Sequence, residues 1–151
     1  IRAFEDILAE SAPSRVVNVA SYWAGGLELD DLQFERCRYD NDGAYRQSKQ
    51  ADRMLSAAFA ERLSDRGISV NSCHPGDVPS KLAKNLGFGG SDSPAQAAGT
   101  PVWLATSDAG LDHSGGYFSN SSQQTCRYSS DTSAVDALYE RCLEIDRQVR
   151  G

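Results

Sequence analysis

The sequence predicts an α/β domain in which parallel strands alternate with crossover helices. Two observations carry this. The runs Arg15-Val16-Val17-Asn18-Val19-Ala20-Ser21 and Ile68-Ser69-Val70-Asn71-Ser72-Cys73 are short, β-branched and bounded by turn residues, as buried strands are. Between them lies a helical-period stripe long enough to cross a sheet: Ala51, Met54, Leu55, Ala58 and Phe59, bordered by Leu63. The 151 residues, 40% hydrophobic and 24% charged, suffice for one domain with a real core.

Taken in order, Ile1, Phe4 and Leu8 share one helical face, and that first helix ends near Pro13, which disfavours helix in the residue before it. Ile1 already lies within the helical pattern and no Met precedes it, so upstream sequence is expected to be missing. After the first strand, residues 22–41 are polar and read as a loop. A helix over about 43–65 follows, with Asp42 as its expected N-cap and Gly67 beyond its end. The second strand stops at His74-Pro75-Gly76. A Gly-containing loop then runs to Ser93-Pro94, a cap-and-first-turn pair that opens a helix to about Ala105, with Pro101 positioned to divide it. Gly115-Gly116-Tyr117-Phe118-Ser119 reads as a third strand. A last helix over about 132–149 sets Val135, Leu138, Cys142, Ile145 and Val149 on one seam. Three strands are few for such a sheet, which a missing N-terminal half would explain. Residues 1–151 are therefore expected to form a single partial domain.

Charge narrows the partners. The net charge is −6 and the 15 basic residues are scattered, so neither nucleic acid nor an anionic membrane surface is an expected partner. No apolar run approaches the ~20 residues that span a bilayer, and no signal peptide is recognisable, so a cytoplasmic location is expected. Cys37, Cys73, Cys126 and Cys142 form no CxxC pair and no zinc-finger spacing, and are expected as ordinary thiols in a reducing compartment, with no metal site.

The residues that carry chemistry cluster at the strand ends. Tyr45 and Lys49 stand four apart on a helix and so share a face. A free phenol ionises near pH 10, and a neighbouring ammonium favours its phenolate, giving the parts of a general acid/base at a carbonyl–alcohol centre. Alone this spacing is a weak signal. Ser21 strengthens it, because it ends the first strand, and ligands of open parallel sheets bind beyond the carboxyl ends of the strands. The turn His74-Pro75-Gly76-Asp77-Val78-Pro79-Ser80 ends the second strand, with a glycine that permits close backbone approach. Ser21, Tyr45 and Lys49 are expected to converge at one end of the sheet.

Val17-Asn18-Val19-Ala20-Ser21, Tyr45-x-x-Ser48-Lys49 and Val70-Asn71-Ser72-Cys73-His74-Pro75-Gly76-x-Val78-x-Ser80 together resemble the carboxyl-terminal half of a short-chain dehydrogenase/reductase. The resemblance covers about residues 1 to 120 and, more weakly, the last helix. The wide gap from Ser21 to Tyr45, with ELDDLQFE, HPGDVPSKLAKNLG and SGGYFSN, is similar to the retinol-dehydrogenase-like and WW-domain-oxidoreductase-like branch. The resemblance implies part of a Rossmann-like, doubly wound sheet and hydride transfer between NAD or NADP and a small lipophilic alcohol, aldehyde or ketone. It implies Tyr45 as general acid/base and Lys49 as the group that favours its phenolate and bonds the nicotinamide ribose. Ser21 would orient the substrate oxygen, while Pro75, Gly76, Val78 and Ser80 would border the nicotinamide. Ala20 stands where many relatives have a second Ser, and Ser80 where Thr is usual.

The family's Gly-rich phosphate-binding turn occurs nowhere in the chain. Gly87-Phe88-Gly89-Gly90 follows no strand and opens no helix, so it is no substitute. The chain alone is thus expected to be inactive and to associate with itself through an exposed strand edge. A second reading is a truncated, non-catalytic binding or interaction module of the same fold. A third, a hydrolase using Ser21 and His74, lacks the G-x-S-x-G elbow and leaves Tyr45 and Lys49 unexplained.

Overall fold

The computed structural model describes residues 1–151. A short 3₁₀ turn leads into α1 (Glu5–Glu10), followed by β1 (Ser14–Val19), α2 (Asn41–Arg62), β2 (Ile68–His74) and α3 (Lys81–Asn85). Then come α4 (Pro94–Ala97), α5 (Gly99–Thr106), α6 (Ala109–Asp112), β3 (Tyr117–Ser119), β4 (Ser122–Gln124) and α7 (Thr132–Arg150). The strands form one sheet in the order β1-β2-β3-β4. β1 pairs parallel with β2, Val16 opposite Val70, and β2 pairs parallel with β3, Ser72 opposite Tyr117. β1 is an edge strand with a single neighbour.

Period-2 alternation sends the sheet's side chains to two helical layers. Val16, Ile68 and Val70 meet Ala60 and Leu63 at the end of α2, with Ile1 and Leu8 alongside. On the other face Val17, Cys73 and Phe118 meet Leu104 and Trp103 of α5. α7 packs outside α2, with Met54 and Ala58 against Val135 and Leu138. Full burial of a side chain such as Leu138 contributes about 2 kcal/mol. The sheet is thus covered on both faces, as in a doubly wound fold. No helix is long and apolar enough to cross a membrane.

Several expectations are corrected. The sheet has a fourth strand: β4 folds back antiparallel on β3 through Asn120 and Ser121, both at positive φ as a two-residue hairpin demands. α2 starts earlier than expected, because Asp40 and not Asp42 caps it by accepting from the Gly43 N–H at 2.9 Å. Its end passes into a 3₁₀ turn over Ser64–Arg66, which Gly67 closes in the left-handed region. The region read as a loop after β2 contains α3, capped by Ser80. The Ser93 helix divides after Ala97, the residue whose carbonyl Pro101, having no N–H, cannot bond. Phe4 and Val149 leave their expected buried faces and are 65% and 79% exposed. Phe4 falls where 3₁₀ geometry gives way to α and the phase shifts. Val149 lies in the last turn of α7.

Candidate active site

The site is assembled where β1 and β2 end. The Ala20 N–H donates to the Cys73 carbonyl at 2.8 Å, continuing the strand pairing one residue past β1. This fixes Ser21, only 5% exposed, just beyond the sheet edge. Its Oγ accepts from the Trp23 N–H at 3.0 Å, which leaves its own proton free to donate. Its carbonyl accepts from the Arg53 guanidinium.

Tyr45 and Lys49 lie in the first turns of α2 and face the same cleft. The Lys49 Nζ is 5.9 Å from the centroid of the Tyr45 ring. It donates to the Val19 carbonyl at 3.0 Å and to the Asp52 carboxylate at 2.9 Å. The first contact ties α2 to the end of β1. The second holds the ammonium with a carboxylate three residues along the same helix. Ser48 does not face the reacting groups: its hydroxyl donates to the Tyr45 carbonyl at 2.7 Å and is exposed.

The turn after β2 forms the facing wall. Gly76 adopts φ +129°, and a Cβ there would lie 2.7 Å from the Asp92 Oδ2. That oxygen accepts from the Asp77 N–H at 2.7 Å, while the Asp92 N–H donates to the Asp77 carbonyl at 3.0 Å. The two ends of the 77–92 excursion are thereby clasped. The Ser80 Oγ accepts from the Ala83 N–H at 3.0 Å, so this hydroxyl also caps α3. Phe88 closes over the cleft, edge-on to Trp23 at 5.3 Å. Ser21, Tyr45, Lys49, Pro75, Gly76, Val78 and Ser80 all line one cleft of about 610 Å³. That volume suits a small organic molecule.

His74 joins them at the end of β2. Its ring meets Tyr22 edge-on at 4.7 Å, and its Nε2 lies 3.9 Å from the Asp77 carboxylate. Nδ1 is buried without a partner. Burial pushes the imidazole below its ordinary pKa, against the opposing pull of Asp77. Cys73, beneath it, is held up at about 11 by burial and is no nucleophile.

Sequence reasoning missed Asp52, Arg53 and Asp92. The Lys49–Asp52 spacing of three on a helix was a signal that could have found the first. Nothing local marked Arg53 or Asp92, whose partners lie 32 and 15 residues away.

Human retinol dehydrogenase 13 is 33% identical over 136 residues, spanning 79% of this chain and 41% of that protein. Human retinol dehydrogenase 14 is 30% identical over 133 residues, spanning 78% and 39%. Human retinol dehydrogenase 11 is 40% identical over 83 residues, spanning 54% and 26%. The chain thus spans about two fifths or less of the length of these relatives. It matches no protein-family model. The crystal structure of an uncharacterized protein from Mycobacterium paratuberculosis shares the fold with a TM-score of 0.61 and 24% identity. That match covers 85% of this chain and 48% of the other.

Proposed function

Since the chain belongs to the short-chain dehydrogenase/reductase family, we propose that it carries the proton-transfer half of an NAD(P)-dependent oxidoreductase acting on a carbonyl or alcohol. The observation that supports this reading best is the meeting of Ser21, Tyr45 and Lys49 with the Pro75–Ser80 turn in one cleft. The Ser21 hydroxyl, with its proton free, donates to the substrate oxygen and steadies charge there. The Tyr45 hydroxyl, on the same oxygen, gives or takes the proton. The Lys49 ammonium, 5.9 Å from the centre of the Tyr45 ring, would bond the nicotinamide ribose hydroxyls.

When bound, the nicotinamide supplies or accepts the hydride. The residues present fit that end of the cofactor: in the same cleft Val78 offers an apolar wall and Lys49 a cation, with Pro75, Gly76 and Ser80 beside them. They do not provide the Gly-rich cradle for the pyrophosphate, so the chain alone is not expected to turn over substrate. Within the cleft Val19, Val78, Leu82, Leu86 and Phe88 favour a substrate with an apolar body, in keeping with a retinoid-like alcohol or aldehyde.

The test is Tyr45→Phe in a protein that joins this chain to a dinucleotide-binding half. The expected outcome is a fall in kcat of at least about 10²-fold with KM little changed, the usual worth of a positioned acid/base. Unchanged turnover would remove Tyr45 from the mechanism. A second reading, a non-catalytic binding module, is favoured by one contact: Asp52 already engages the ammonium that the ribose would need. Retained ligand binding with no turnover in the joined protein would select it.

A further inference from the structure

Behind the wall formed by Tyr22 and Trp23 lies a second pocket of about 460 Å³. Its lining holds three arginines, Arg46, Arg53 and Arg127, together with Tyr128, and no carboxylate. In a chain of net charge −6 this is a local reversal of sign. Arg46 has partial compensation from Asp42, 3.8 Å away, which also accepts from the Trp23 indole N–H at 3.1 Å. Arg53 and Arg127 have no carboxylate partner.

Arg53 is the unusual member. It is only 7% exposed, yet its charge is met by no anion. One guanidinium nitrogen donates to the Ser21 carbonyl. The plane lies on the Tyr117 ring at 3.6 Å, and the Nε is buried without a partner. A buried cation held by one carbonyl and the rings of Tyr117 and Tyr128, the second at 5.7 Å, has no anion to offset its desolvation penalty, and an anion at hydrogen-bond distance would do so. The Arg127 guanidinium donates to the Tyr128 Oη at 3.0 Å, and that hydroxyl donates to the Ala24 carbonyl at 2.7 Å. Gly25 lets this corner close, since a Cβ there would lie 3.3 Å from both the Arg46 guanidinium and the Tyr128 Oη.

We propose that this pocket binds the carboxylate of an organic acid. Planar guanidinium forks match a planar carboxylate, and Tyr22, Trp23 and Tyr128 line the pocket beside them as an aromatic surround for the attached body. Tyr22 and Trp23 also line the reaction cleft. On the oxidoreductase reading, the pocket therefore favours, among alcohols and carbonyl compounds with an apolar body, those that also carry a carboxylate, namely oxo or hydroxy acids with the acid group held beside Ser21. That link rests on the proposed function, whereas the affinity for a carboxylate does not.

The chain has two tryptophans, so Trp103→Phe leaves Trp23 as a reporter in the pocket wall. Titration of this chain with sodium benzoate at constant ionic strength, balanced with chloride, is expected to change Trp23 emission saturably. Inorganic phosphate is expected to bind more weakly. Arg53→Met and Arg127→Gln are each expected to weaken benzoate binding at least about tenfold, as loss of a charge-assisted contact does. Arg127 is exposed, so its variant keeps the test alive if Arg53→Met does not fold. No saturable response, unchanged affinity in folded Arg127→Gln, or phosphate binding as tight as benzoate would overturn the proposal. Benzoate binding by this chain, with no turnover of any oxo or hydroxy acid once it is joined to a dinucleotide-binding half, would count against the oxidoreductase reading alone.

Discussion

Asn71 offers the sharpest test of how the site is held. It is 1% exposed in the middle of β2. Its Oδ1 accepts from the Gly116 N–H at 3.0 Å, and its Nδ2 donates to the His113 carbonyl at 2.7 Å. These bonds set the start of β3, and the next residue, Tyr117, is the ring beneath Arg53. In Asn71→Ala the buried Gly116 N–H loses its partner, at about 1–3 kcal/mol, and the His113 contact is lost at about 1 kcal/mol. The sum is about 3 kcal/mol, a large share of an ordinary domain's stability. For a chain of this length that is roughly 6–12 °C in Tm. Asn71→Leu refills the volume but still leaves the Gly116 N–H bare, so it is expected to remain at least about 2 kcal/mol below the parent. Urea unfolding followed by circular dichroism measures both. A loss under about 1 kcal/mol in Asn71→Ala, or near-complete recovery in Asn71→Leu, would refute the hydrogen-bond account.

Gly76→Ala puts a Cβ against Asp92 in a backbone region that L-residues avoid, and is expected to cost about 1–3 kcal/mol in urea unfolding. A neutral result would mean that the turn relaxes freely. His74 has its pKa depressed below 6.5, so the unfolded chain takes up the proton first as pH falls. Stability is expected to drop as pH falls from 7 through 6.5, with a slope of at most about 1.4 kcal/mol per pH unit, and His74→Gln is expected to flatten it. An identical pH profile in the variant would remove His74 as the cause. The chain alone is expected to self-associate through the β1 edge and to bind NAD or NADP weakly. Light scattering and calorimetry check this, and micromolar binding by a monomer would contradict it.

Much of this frame was legible locally. The Val16–Val19 run announces β1 because its residues pack well on a pleat whatever lies beside it. Ser93-Pro94 announces a helix start because cap and first turn need only each other, and here Ser93 and Gln96 form a full capping box. Convergence of Ser21, Tyr45 and Lys49 was legible because strand ends and helix turns fix direction. What was hidden depends on distant partners. β4 is the polar run Ser122–Gln124, exposed throughout, and is a strand only because β3 lies beside it. Arg53 reads as a solvated helix face until Tyr117, far along the chain, is folded under it. Phe4 looks like core because spacing alone does not distinguish a 3₁₀ turn from an α turn.

Every buried residue of α2 lies in its second half, at Arg53, Met54, Ser56, Ala58 and Ala60, whereas Tyr45 and Lys49 lie in its first turns. The helix therefore divides its labour along its axis: one end anchors and the other carries the side chains proposed to react. Residues 41–50 include no fully buried side chain, so substitutions there create no core cavity, whereas the anchor stays under packing constraint. On the proposed function, new specificities, or loss of activity, are accessible to such a chain by changes that empty no part of its core.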